Sequence, residues 1–154
     1  MPGKIKAPVP LIILLLIPAI YFGTTEAIAS YYLNMAATAG KNKDWKTYAD
    51  LYEKWGEYHN NKYNLYYDLG RVELNNLDRY DESLNSFEKS LDLSYREDLA
   101  IDIAETYLNY NLPLHAKKLL NHVIANGHDS ETIRSKLAET EQALEAKAAA
   151  VLGH

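Results

Sequence analysis

The chain has no cysteine among its 154 residues. That excludes a disulfide framework and any thiolate metal site, but it names no compartment, because a helical repeat needs no covalent staple. Glycine is scarce, seven in all, and none falls in a loop patterned to cradle phosphate. No serine stands in a strand–turn–helix elbow, and no Asn-x-Ser/Thr sequon occurs. Phenylalanine appears twice against thirteen tyrosines. The tyrosine excess reads as packing, with rings turned inward and hydroxyls at the rim. Negative charge is missing from the first 25 residues, since all 21 acidic residues stand at or after Glu26. With Lys4 and Lys6 set aside, the remainder carries 14 basic against 21 acidic residues, a net of −7. An acidic body without clustered Lys and Arg argues against a phosphate-backbone partner, so no nucleic acid is expected.

What is present begins with an uncharged stretch from Ala7 to Thr25, APVPLIILLLIPAIYFGTT. Its apolar residues Leu11, Ile12, Ile13, Leu14, Leu15, Leu16, Ile17, Ile20 and Phe22, with Val9, favour insertion into a bilayer by about 3 to 6 kcal/mol, before any cost for Pro10 and Pro18. About 19 uncharged residues come close to the ~20 that span a hydrocarbon core of ~30 Å. A kink at Pro18 is tolerated inside a membrane. The same stretch also fits a cleavable leader, with Met1–Lys6 as basic head and Ala27-Ile28-Ala29 as small-x-small site before Ser30. No loop signal except Gly23 separates the apolar run from helix-friendly sequence at Glu26–Ala39, which favours a retained anchor over residues 1–28. One helix from about Pro10 to Ala39 would serve as membrane span and as first helix of the body. Lys4 and Lys6 on one flank against Glu26 on the other put the N-terminus in the cytoplasm and the body outside it. Either reading exports the body to the periplasmic or extracellular side.

Beyond this segment the apolar pattern repeats about every 34 residues as far as Asp129. The clearest unit runs from Tyr66-Tyr67-Asp68-Leu69-Gly70 through LDRYDESLNSFEKSLDLS to Ser94. Asp78-Arg79 marks a turn, and Tyr80, Leu84, Phe87 and Leu91 line a second amphipathic helix. The pattern returns in IAETYLNYNLPLHAKKLLNHV, with Ala104 and Tyr107 before a turn at Asn111-Leu112-Pro113, and Ala116, Leu120 and Val123 after it. It also appears upstream, more worn, as Met35-Ala36 and Ala39-Gly40 followed by Trp45, Tyr48, Tyr52 and Trp55. Asp44 is placed to cap the helix that begins at Trp45, and Asn111 to cap the sixth helix with Pro113 in its first turn. Asn126-Gly127 supplies a left-handed stop. Asp129 or Ser130 then starts a seventh helix to about Leu152, with an apolar stripe of Ile133, Leu137, Leu144, Ala148 and Val151. Its half beyond Ala143 could outrun the last repeat.

These units resemble the tetratricopeptide repeat family over roughly residues 29–129, and YDESLNSFEKSL is close to that family's second-helix signature. The resemblance implies an all-α fold: three helical hairpins stacked as a solenoid, a capping helix over residues 130–154 and one N-terminal transmembrane helix. Where the family prefers alanine, the first unit has Tyr48 and Trp55 and the second has Ser83 and Ser90, so the first unit is expected to splay. By resemblance the first helices of the hairpins line a concave binding face, here Leu65, Asp68, Val72, Asn75, Asn76, Ile101, Glu105 and Asn109. Family members that hold acidic peptide termini clamp them with Lys and Arg. No such basic cluster stands on this face, which suits an extended neutral or basic peptide or another protein's helix.

No catalytic constellation, cofactor motif or metal set is found. His115 and His122 are seven apart on one helix, with His128 beyond, and read as solvated surface histidines. The expected role is therefore a membrane-anchored scaffold or accessory subunit rather than an enzyme. Its partners would be integral membrane subunits or extended peptide segments, with the lipid bilayer as support. A secreted or periplasmic peptide-binding adaptor is the alternative, and a self-associating filament subunit a third.

Overall fold

Three hairpin turns share one backbone device. Lys43, Asp78 and Asn111 each hold a left-handed backbone, with φ of 58°, 54° and 57°. They are spaced 35 and 33 residues apart, the same shifts that relate the repeating units in sequence. Around them the preceding helix ends with a long-reach amide: Asp44 N donates to Ala39 O at 3.0 Å, Arg79 N to Glu73 O at 2.9 Å and Leu112 N to Tyr107 O at 2.8 Å. Such bonds satisfy carbonyls that a helix terminus otherwise leaves open. Gly127, φ 88°, does the same one helix later, where His128 N reaches Val123 O at 3.2 Å.

The computed structural model describes the backbone of residues 9–59 and 62–152, and side chains from residue 23 onward. The described residues are all-α, with seven helices and no strand. The helices are α1 (Val9–Lys41), α2 (Trp45–Tyr58), α3 (Lys62–Asn76), α4 (Tyr80–Leu93), α5 (Glu97–Asn109), α6 (Pro113–Ala125) and α7 (Glu131–Leu152). They divide into two compact units, Met1–Asn60 and Asn61–His154. Among the described residues no helix is long and apolar enough to cross a membrane. The expected anchor residues Leu11 to Ile17, Ile20 and Phe22 fall in α1, but their side chains lie outside the described residues.

The first unit is the hairpin α1–α2. Asp44 caps α2 as expected, its carboxylate accepting Thr47 N at 3.2 Å, and hydrogen bonding from the Thr47 side chain first and its backbone second holds the carboxyl below the usual aspartate range. The bulk of α2 is met by small residues rather than by splaying. Trp45, Tyr48, Tyr52, Trp55 and His59 form a continuous series of ring contacts, with centroids 4.4 to 6.1 Å apart. Opposite, α1 offers Ala29, Ala36 and Ala39, all buried. A methyl group on Gly40 would stand only 3.1 Å from the Tyr48 ring.

In the second unit α3 pairs with α4 and α5 with α6, α4 rests on α6, and α7 lies against both α5 and α6. Its core runs through Leu74, Leu84, Phe87, Leu91, Ile103, Tyr107, Leu119, Leu120, Val123 and Ile133. Burying each of the larger side chains stabilises the fold by about 1.5 to 3 kcal/mol. Asn111 does not cap α6: it is the left-handed turn residue, Leu112 stands at the cap position, and Pro113 opens the helix. Ser130 caps α7, its hydroxyl accepting Ile133 N at 3.2 Å. Packing of α7 reaches Ala143 and Leu144, which are half-buried; from Glu145 on the helix is exposed and is tied back by Lys147, whose ammonium donates to Asn111 O at 2.6 Å. Val151 and Leu152 at its end stand in solvent.

Candidate functional site

Serine placement sets how the helices of the second unit are rotated. Ser83, Ser86 and Ser90 line one side of α4 and are all buried. Buried hydroxyls need partners, and each has one. Ser86 Oγ donates to Glu73 Oε2 at 2.7 Å, and Ser90 Oγ to Tyr63 O at 3.1 Å, tying α4 to α3. Ser83 Oγ donates to Tyr80 O at 2.9 Å and lies 2.7 Å from the Tyr107 hydroxyl on α5. Its one hydrogen is already used, so Tyr107 must be the donor. Burial pushes the Tyr107 phenol well above its ordinary value, which keeps that proton in place. Gly70 completes the arrangement: the Phe87 ring lies where a β-carbon would be, 2.8 Å away.

This rotation opens a cleft of about 200 Å³ between α3 and α5. Leu74, Phe87 and Ile103 form its floor, with Tyr67, Arg71 and Asn75 on one wall and Asp102 and Thr106 on the other. The Arg71 guanidinium sits over the Tyr67 ring, 5.9 Å from its centre, and this cation–π contact keeps it on the rim. Thr106 Oγ1 is turned back onto Asp102 O at 2.8 Å. Among the described residues Arg71 and Asp102 enter no ion pair. One cation, one carboxylate and an amide over an apolar floor suit one side chain of an extended segment with its adjoining backbone.

Of the face expected from sequence, only Asn75 lines this cleft. Leu65 is inside the fold, 3% exposed, and presents no surface to a partner. Asp68 and Val72 are half-buried, and Asn76 and Asn109 are exposed. Ile101 packs against the core, and Glu105 is engaged by Lys136 of α7 at 2.9 Å. Sequence reading missed Tyr67, Arg71, Asp102 and Thr106 because each stands one position from an expected residue or its neighbour. One residue is about 100° around a helix. Gly70 was the available signal, since a helical glycine in register with Phe87 marks the side of α3 that faces α4.

The histidines also differ from a solvated surface. His115 is packed between the Tyr80 and Tyr107 rings, at 6.2 and 5.6 Å. Its Nε2 comes within 3.3 Å of Asp81 Oδ1, off the hydrogen-bonding direction. His122 meets Asp92 at 2.7 Å, and Asn126 Nδ2 donates to the same carboxylate at 2.9 Å. Glu88, 3.9 Å from His122, is raised above the usual glutamate range, chiefly by burial. Among the described residues no group of three or more His, Asp or Glu is placed to hold a metal ion. No family model matches the chain and no curated protein matches it, so its role has to come from its own geometry.

Proposed function

We propose that this chain is a membrane-anchored scaffold or accessory subunit of an extracytoplasmic membrane protein assembly. The hairpins act as a tetratricopeptide-like interaction body, and the segment Leu11–Phe22 holds that body beside integral partners. The N-terminus lies in the cytoplasm and the body outside it. The observation that carries the reading is the single helix α1, Val9–Lys41, which joins the uncharged sequence to the first hairpin without a loop. A leader cleaved before Ser30 would cut inside that helix and remove Ala29 from its packing against α2. That Ala29 belongs to the packed hairpin supports the retained anchor over the exported adaptor.

The mechanism is positional. No bond is made or broken; the anchor raises the local concentration of the body at the membrane, and the α3–α5 cleft receives an extended segment of a partner. Deleting residues 1–25 tests the anchor: it should release the body from the membrane fraction and from the assembly. Assembly retained by the truncated chain would count against the anchor's role.

A further inference from the structure

Helix α1 has two faces. One packs on α2 through Ala29, Ala36 and Gly40. On another, Ile28, Tyr31 and Met35 are 39%, 59% and 41% exposed, an unusual state for large apolar side chains spaced along one helix. With Thr24, Thr38 and Asn42, also exposed, they stand at alternating separations of four and three residues. That is the spacing of a coiled-coil seam, with Ile28 and Met35 at one core position of the heptad, Thr24, Tyr31 and Thr38 at the other, and Asn42 just past the helix end. From Thr24 to Asn42 it extends about 27 Å at the helical rise. Thr38 presents no unsatisfied hydroxyl, since Oγ1 donates to Asn34 O at 2.9 Å. Beside the seam a groove of about 470 Å³, lined by Tyr31, Met35, Thr38 and Leu51 among others, runs between α1 and α2.

We propose that this seam pairs α1 with α1 of a second copy of the chain, parallel and in register. Two observations select that occupant. Read back along the sequence, the same spacing falls on Tyr21, Ile17 and Leu14, inside the uncharged stretch. A helix that follows the whole seam must therefore be apolar over its first half and tolerate polar surroundings past the level of Glu26. A parallel copy of α1 has that change of character at the same level. Charge agrees: between Ala7 and Gly40 the single ionised residue is Glu26, and the heptad puts it at the position farthest from the seam. Two copies bring no like charges together along it. The choice of occupant draws on the anchor reading, but the exposed part of the seam lies in residues 24–42, so cross-linking there tests the pairing separately from membrane attachment.

The absence of native cysteine makes the test direct. Full-length single-cysteine variants are oxidised in mild detergent at Ile28→Cys, Tyr31→Cys and Met35→Cys, and off the seam at Ser30→Cys, Leu33→Cys and Ala37→Cys. All six positions are exposed, so each substitution is compatible with the fold. Seam variants should form covalent dimers severalfold more than off-seam ones. The detergent-corrected mass of the unmodified chain should be about twice its 17.5 kDa, and Met35→Glu should return it to monomer. Cross-linking with no dependence on heptad position, or a monomer at tens of micromolar, would overturn the proposal.

Discussion

Replacing Gly70 with alanine adds one methyl group to α3 at the point where the Phe87 ring already sits. The new carbon would meet Cδ1 and Cε1 of that ring at 2.8 Å, a separation that some atom has to relieve. The ring is poorly placed to move. It is 1% exposed and bounded by Tyr67 and Tyr107, whose centroids lie 5.8 and 6.0 Å away. Two effects compete. Alanine is better than glycine in a helix interior by about 1 kcal/mol, while overpacking a filled core costs about 1 to 3 kcal/mol. With the ring held on both sides the overpacking cost should lie in the upper part of that range, about 2 to 3 kcal/mol, leaving a net loss of about 1 to 2 kcal/mol. In a unit of this size that lowers Tm by about 4 to 16 °C, read by far-UV circular dichroism. Two controls isolate the cause. Gly23 has nothing within 4 Å of its would-be methyl, so Gly23→Ala should be neutral or stabilising. Combining Gly70→Ala with Phe87→Leu should be less damaging than the two single losses added, by about 1 kcal/mol. A Gly70→Ala protein as stable as the parent would refute the reasoning.

Other substitutions test the remaining devices. Ser83→Ala strands the buried Tyr107 hydroxyl and should cost about 1 to 3 kcal/mol in urea unfolding, and Tyr107→Phe in the same background should recover part of it. Lys43→Gly relieves a left-handed lysine and should stabilise the first hairpin by about 0.5 to 1 kcal/mol, visible as a higher midpoint in Trp45 and Trp55 fluorescence. Glu88 has a folded pKa raised above the reference value of 4.5, so the folded chain holds that proton more tightly than the unfolded one. Its contribution is fully present below pH 4.5 and is lost as pH rises through the folded value. Glu88→Gln should accordingly gain stability relative to the parent on passing from pH 4 to pH 7, about pH units that bracket the carboxylate range; a constant difference across that interval would contradict the assignment.

Much of the helical layout is legible in the residues. Asp44 announces its cap, Gly127 its left-handed stop, and the 33- and 35-residue shifts recover the hairpin turns at Asn111, Asp78 and Lys43. These are local signals, readable because each depends on a few neighbouring residues. Asn111 shows the limit: asparagine serves both as a cap and as a left-handed residue, and nothing nearby distinguishes the two uses. The site was less legible because it depends on helix rotation. Ser83 and Ser90 stand at positions read as close-packed, but nothing local says which groups their hydroxyls, or that of Ser86, bond across the helices. The turn that brings them inward carries Arg71 and Asp102 to the cleft. His115 is packed inward for a related reason, as a flat ring stacked on Tyr107 and met edge-on by Tyr80 rather than as part of an apolar stripe.

The central claim, that the body serves a membrane assembly, is tested most directly by isolating the native protein in mild detergent and identifying what stays bound by mass spectrometry. The account predicts integral membrane proteins in stoichiometric amount. Recovery of this chain alone, or only with soluble proteins, would contradict it.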